Sequence, residues 1–189
     1  MVKKKVIKKK ESKKYSNEFI SLFLRYFLII LVAIPNMYIF YLIFTPLTVY
    51  PVYFFLSLFH PVSLSGAIIS LSSLKIEIIK ACVAGSAYYL LFMLNMAVPK
   101  IKVKTRLKMI FSSFGVLLLL NIFRIFFLSL LAISGSAYFD ITHKVFWYLL
   151  STVFVVAIWF TEVYYFNIKE IPFYNDLKFL YNKSVFGGN

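Results

Sequence analysis

Residues Phe19 to Phe44 read FISLFLRYFLIILVAIPNMYIFYLIF, twenty-six positions in which Arg25 is the only charge. Crossing the ~30 Å hydrocarbon core of a bilayer takes about 20 predominantly apolar residues. This run is long enough, and Arg25 lies close enough to one end to snorkel toward the headgroups. The segment before it, Met1 to Glu18, is polar and lysine-rich, and its composition predicts disorder. A basic region followed by an apolar run also opens a secretory signal peptide. There the apolar run is shorter and ends at a small-residue cleavage site, which is missing here, so the segment reads as an uncleaved signal anchor.

Composition extends that reading to the whole chain. Of 189 residues, 61% are hydrophobic and the mean hydropathy is +0.84, against an apolar share of about half in soluble domains. A soluble fold of this size could not cover so much apolar surface. The net charge of +14 comes from segregated runs: eight of the 21 Lys and Arg residues lie between Lys3 and Lys14, and five between Lys100 and Lys108. These runs flank apolar stretches with no base-stacking pattern between them. They read as topology signals, and no nucleic-acid partner is expected. The one cysteine, Cys82, excludes an intrachain disulfide and any multi-thiolate site. With only His60 and His143 as further soft ligands, no metal and no cofactor are expected.

Further along, Thr45 to Phe59 is apolar but short of a full crossing and contains Pro46 and Pro51. It reads as a re-entrant or interfacial segment. Leu74, Ile76 and Ile78 then alternate with Lys75 and Glu77, the pattern of a strand with one buried face. Gly66 to Leu71 is placed to pair with it across Ser72 and Ser73 as a short hairpin on the membrane surface. Three further spans follow: Ala81 to Val98, Met109 to Ile133, and His143 to Phe166. The fold class is an all-α membrane protein of about four transmembrane helices, with the re-entrant segment and the hairpin on the outer face. Three regions result: a basic cytoplasmic segment (1–18), one membrane domain (19–166) and a cytoplasmic tail (167–189).

Both basic runs belong in the cytoplasm, so an even number of crossings separates them. Cys82 then falls at the outer start of one span and His143 at the outer start of another. Arg124 is 16 residues past Lys108, about 24 Å along a helix, roughly one turn below the outer surface. A cysteine, an arginine and a histidine therefore share one shallow outer layer. Each has a plainer role: small inert hydrophobe for Cys82, headgroup anchor for His143 beside Lys144 and Trp147. Arg124 is harder to place that way, because an ionised group in the core costs at least ~2.5–3.5 kcal/mol. Asn121, three residues back on the same face, is positioned to brace it. Asp140 is either a partner for His143 or Arg124 or a solvated loop residue. Glu162, about 28 Å along the last helix from His143, belongs to the inner interface.

The chemistry that uses this trio is thiol acyl transfer. A helix start and nearby cations, Lys80 and Arg124, favour a thiolate at Cys82. Arg124 keeps its proton and suits an oxyanion, while His143 suits proton transfer.

The run Ile78-Ile79-Lys80-Ala81-Cys82-Val83-Ala84-Gly85-Ser86, then Pro99 with its basic loop, then Asn121-Ile122-Phe123-Arg124-Ile125, then His143 heading a Trp-containing span, resembles the archaeosortase/exosortase family of membrane transpeptidases over roughly 47–166. The resemblance implies that Cys82, Arg124 and His143 are catalytic. It also implies cleavage of a C-terminal sorting tail from exported surface proteins and transfer to a lipid or glycan acceptor at the membrane. The chain has fewer N-terminal spans than many relatives, and a histidine where some archaeal members carry a second arginine. The rival from another class is a non-catalytic transporter subunit or assembly factor in which Arg124 lines a polar cavity. Acylation of Cys82 as a lipid anchor fits its outer placement poorly.

Overall fold

A computed structural model of the chain describes residues 2–34, 36–71 and 74–183. Helices dominate it: α1 (Val2–Ala33), α2 (Tyr38–Ser57), α3 (Lys80–Val83), α4 (Gly85–Ala97), α5 (Val103–Ile133), α6 (Phe139–Val145), α7 (Ser151–Tyr165) and α8 (Tyr174–Lys183). A π-helical turn, Phe146–Leu150, joins α6 to α7, and strands β1 (Ser63–Ser65), β2 (Ile68–Ser70) and β3 (Lys75–Glu77) lie between α2 and α3. Among the described residues, Tyr15–Ala33, Tyr38–Ser57 and Val103–Ile133 are long and apolar enough to cross a membrane. The α6 to α7 run, bent by 43°, makes a fourth if it counts as one span. These helices fit a multi-pass membrane protein. So does the surface, where Phe23, Leu42, Phe111 and Phe123 stand exposed as they would against lipid and would not in water.

The run from Phe19 to Phe44 is not one helix. It breaks between α1 and α2, where Asn36 and Met37 are left-handed (φ 50° and 57°). Pro35, outside the described residues, supplies the sequence reason, since proline has no N–H to donate and biases the residue before it away from the helix. Thr45 to Ser57, expected to belong to a separate re-entrant piece, is instead the body of α2, which runs through Pro46 and Pro51 unbroken. Contacts with α5 show the course of both helices. Ile29 clusters with Ile110, Phe40 and Phe44 meet Phe114, and Phe55 and Phe59 meet Phe126. The partners rise along α5 in order, so α1 and α2 climb the same way. The break is a sideways step rather than a hairpin.

The expected span Ala81 to Val98 is also broken. α3 and α4 are separated at Ala84, which is left-handed (φ 61°, ψ 40°). With 13 residues α4 is about 20 Å long, too short to span alone. It sits at the centre, in contact with α1, α2, α5 and α7, and its Tyr88 and Leu91 are fully buried. Tyr88 stacks on Phe44 with ring centroids 3.6 Å apart. A Cβ on Gly85 would lie 2.6 Å from two ring carbons of Tyr41, so glycine there is what lets α2 approach the start of α4.

The hairpin forms as read. β2 and β3 pair antiparallel, Ile69 opposite Ile76 and Ser70 opposite Lys75. Lys75 and Glu77 are exposed and Ile78 is buried, as the alternation requires. Ser72 and Ser73 lie outside the described residues. β1, only three residues long and not expected from the sequence, adds a strand to the other side of β2. Two loops shrink: α5 begins at Val103, so Lys104, Arg106 and Lys108 ride on a helix, and α6 takes up the last residues of the 134–142 loop.

Polar residues gather at the two ends of this bundle. One end holds the sheet and Cys82. At the other, here the basic end, Arg25 pairs with Asp176 of α8 at 2.8 Å and donates to the Ala97 carbonyl at 3.2 Å. Tyr26 donates to the second Asp176 oxygen at 3.1 Å. Arg106 donates to the carbonyls of Met96 and Val98. Both members of the Arg25–Asp176 pair are buried, and removing one partner of a buried pair costs about 3–5 kcal/mol. Arg25→Met should therefore lower the thermal midpoint of the detergent-solubilised protein sharply, and Arg25→Met with Asp176→Leu should recover part of the loss. A double variant no more stable than the single one would show that the charge pairing is not what closes this end.

Candidate active site

α3 is only four residues long, and the carbonyls that end a helix have no partner within it. In an apolar setting they must find donors elsewhere. α5 brings them. Asn121 and Arg124 are three residues apart and so share a face. The Asn121 amide donates to the carbonyls of Cys82 at 2.9 Å and Val83 at 3.4 Å. The Arg124 guanidinium donates to the same Cys82 carbonyl at 3.2 Å. Asn121, expected as a brace for the guanidinium, thus shares an acceptor with it. Both side chains are buried. At its other side Cys82 donates its own N–H to the carbonyl of Ile79 at 2.8 Å, which closes the single turn of α3 just after β3.

Cys82 is half-buried and its thiol is free. It opens on a cavity of about 360 Å³ whose walls include Arg124 and His143. His143 comes from α6, where Phe139 stacks on it at 5.7 Å between ring centroids and Trp147 lies at 6.2 Å. Aromatic rings about a turn on either side set the imidazole's place. The three residues singled out in the sequence thus border one space, supplied by α3, α5 and α6. Residues Leu74 to Ile79, the segment that holds β3, also line the cavity, and no sequence motif pointed to it as part of a site. The alternation of that strand was the available signal. Asp140 stands apart: it is exposed on α6 and is not among the cavity's walls.

The basic end holds a polar group of its own that the sequence suggested only in part. Glu162 is buried within the bundle. It accepts from the Asn95 amide at 3.0 Å, and that amide also donates to the Ser113 hydroxyl at 3.2 Å. Asn95 and Ser113 are polar residues inside apolar runs, which was the signal for them. Among the described residues, no three His, Cys, Asp or Glu side chains are grouped to hold a metal ion.

Comparison of the chain with family models, with curated proteins and with solved structures finds no match. The site therefore rests on its own geometry. Asn121→Leu takes the donor from the Val83 carbonyl and leaves the Cys82 carbonyl to Arg124, and a buried group left unsatisfied costs about 1–3 kcal/mol. The variant should melt earlier by a corresponding margin and should change the rate at which iodoacetamide labels Cys82. Unchanged melting and labelling would mean that Asn121 does not hold the α3 turn.

Proposed function

We propose that the chain is a membrane-embedded cysteine transpeptidase of the archaeosortase/exosortase kind, acting on C-terminal sorting tails of exported surface proteins. The observation that carries this reading is the single cavity bordered by Cys82, Arg124 and His143. In the proposed reaction the Cys82 thiolate attacks the scissile carbonyl. Arg124, which stays protonated, stabilises the oxyanion that forms. His143 gives a proton to the departing amine, and the peptide bond breaks to leave a thioester on Cys82. An acceptor nucleophile, deprotonated by His143, then attacks the thioester and frees the thiol.

The proposed orientation has the basic end in the cytoplasm and the sheet end outside. Arg25, the start of α5 and α8 gather at one end, so α1 with α2 supplies one crossing and α3 with α4 supplies the next. With α5 and the α6–α7 run the count is four, and both basic runs share a side, as the distribution of lysine and arginine favours. A membrane-impermeant maleimide applied to intact cells should label Cys82, or a cysteine placed in the 134–138 loop of a Cys82→Ser protein. A cysteine placed at Lys100 in that background should stay unlabelled. The reverse pattern would put the cavity on the cytoplasmic side and remove the proposed substrate.

A second reading has an observation of its own. The Arg124 guanidinium already holds a main-chain carbonyl, which a purely structural arginine in a transporter subunit or assembly factor would also do. Activity separates the two. With a tagged surface protein whose tail loss is followed as a size shift, Cys82→Ser should abolish processing. Arg124→Lys should be severely impaired, since lysine keeps the charge but loses the planar fork. His143→Ala should slow processing by about 10²–10⁴-fold, the usual contribution of general acid–base catalysis. Full processing by Cys82→Ser would move the non-catalytic reading to first place.

A further inference from the structure

The β3 strand is an edge. The sheet runs β1-β2-β3, and among the described residues no strand pairs with the outer side of β3. Its register decides which groups face outward. Leu71 donates to the Leu74 carbonyl at 2.8 Å, Ile78 donates to the Ala67 carbonyl at 2.9 Å, and Ile76 stands opposite Ile69. The even-numbered residues of this segment therefore spend their main-chain groups on β2. In an antiparallel ladder the residues between them point theirs the other way. The N–H and C=O of Lys75 and Glu77 are thus aimed away from β2, and the segment from Leu74 to Ile79 is a wall of the Cys82 cavity. Glu77 is followed after two residues by the turn of α3 that carries Cys82.

We infer that β3 is the seat of the substrate: an extended stretch of polypeptide adds to the sheet as a fourth strand and is thereby laid across Cys82. This rests on the transpeptidase reading of the same site and adds the form in which the substrate binds. Strand addition draws its affinity from main-chain hydrogen bonds and its selectivity from pockets for alternate side chains. The main-chain donors and acceptors of Lys75 and Glu77 serve the first. Apolar Ile125 and Leu128 in the cavity wall serve the second, and they call for apolar residues at every other position near the scissile bond. An open edge is a hazard that folds cover or blunt. Placed beside a nucleophile, it is a binding surface for one more chain. The occupant is an extended peptide, whereas a helical segment would leave these groups unpaired.

The test uses the full-length protein in detergent and two electrophiles that alkylate a thiol with loss of halide. One is iodoacetamide, and the other is the peptide acetyl-Val-Thr-Val-Thr-Gly chloromethyl ketone. The ratio of their rates at Cys82 measures what the peptide backbone contributes. Methylating alternate amide nitrogens of the peptide, in the register that faces β3, should lower its rate about five- to tenfold, as loss of one or two net hydrogen bonds does. Glu77→Pro removes an outward donor that β2 does not use and is tolerated at a sheet edge. Measured against Glu77→Ala, which loses the same side chain but keeps the N–H, it should lower the ratio of the peptide rate to the iodoacetamide rate about five- to tenfold. A peptide that reacts equally fast with and without its N–H groups, while iodoacetamide labels normally, overturns strand addition and leaves the transpeptidase reading standing. Cys82 inert to both reagents overturns the transpeptidase reading, and the strand seat with it.

Discussion

Backbone carbonyls left open where the central segment stops and starts are the constraint around which this bundle is arranged. A membrane interior offers no water to satisfy them, and the segment that carries Cys82 breaks at Ala84 and ends at Ala97. α5 answers at both places. Arg106 reaches the carbonyls that close α4, and Arg124 with Asn121 reaches those that close α3. The two arginines are eighteen residues apart, five turns and about 27 Å of helix, so they emerge on one face near opposite ends of the apolar layer. The helix with the longest apolar run thus carries two buried cations, and each sits where a helix end presents its negative pole.

That arrangement gives Arg124 two compatible jobs. Holding the Cys82 carbonyl fixes the turn on which the thiol sits, and the same guanidinium borders the cavity into which the thiol opens. A buried charge with a defined partner is less costly than an isolated one, so the structural bond accounts for the arginine's tolerance in the layer. Preorganisation of the proposed site and satisfaction of the backbone are then one set of contacts. The break at Ala84 lies just past the carbonyls that Asn121 and Arg124 hold. Next to the left-handed Ala84, Gly85 leaves room for the Tyr41 ring, which a Cβ there would meet at 2.6 Å.

What the sequence revealed and concealed follows a physical division. Long apolar runs, the rarity of charge within them and the alternation over 74–78 depend on local composition, and the hairpin and α5 stand where these signals stood. Val2 to Glu18, whose composition predicts disorder, is instead the first part of α1. Arg124 and Cys82 were legible because burying one is costly and the other is unique. The left-handed step at Ala84 has no mark in its own residue type. The first run hid its break behind continuous hydrophobicity, although Pro35 stood in it. The acceptor of Asn121 was hidden as well, since the i, i+3 spacing names a neighbour on the helix but not a carbonyl on another segment 39 residues away. β1 and the open edge of β3 are matters of register and neighbour order, which no single segment encodes.

The Arg25–Asp176 pair has a consequence for how such a chain is made. Its members are 151 residues apart, so the arginine is synthesised and delivered to the bilayer long before its counter-ion exists. Until Asp176 is made, Arg25 has main-chain carbonyls such as those of Met96 and Ala97, with headgroups and water near the basic end, but not the carboxylate that pairs with it. Closure of that end is therefore among the final events of assembly. A chain released before Asp176 would lack the carboxylate that ties Arg25 and Tyr26 of its first helix to α8.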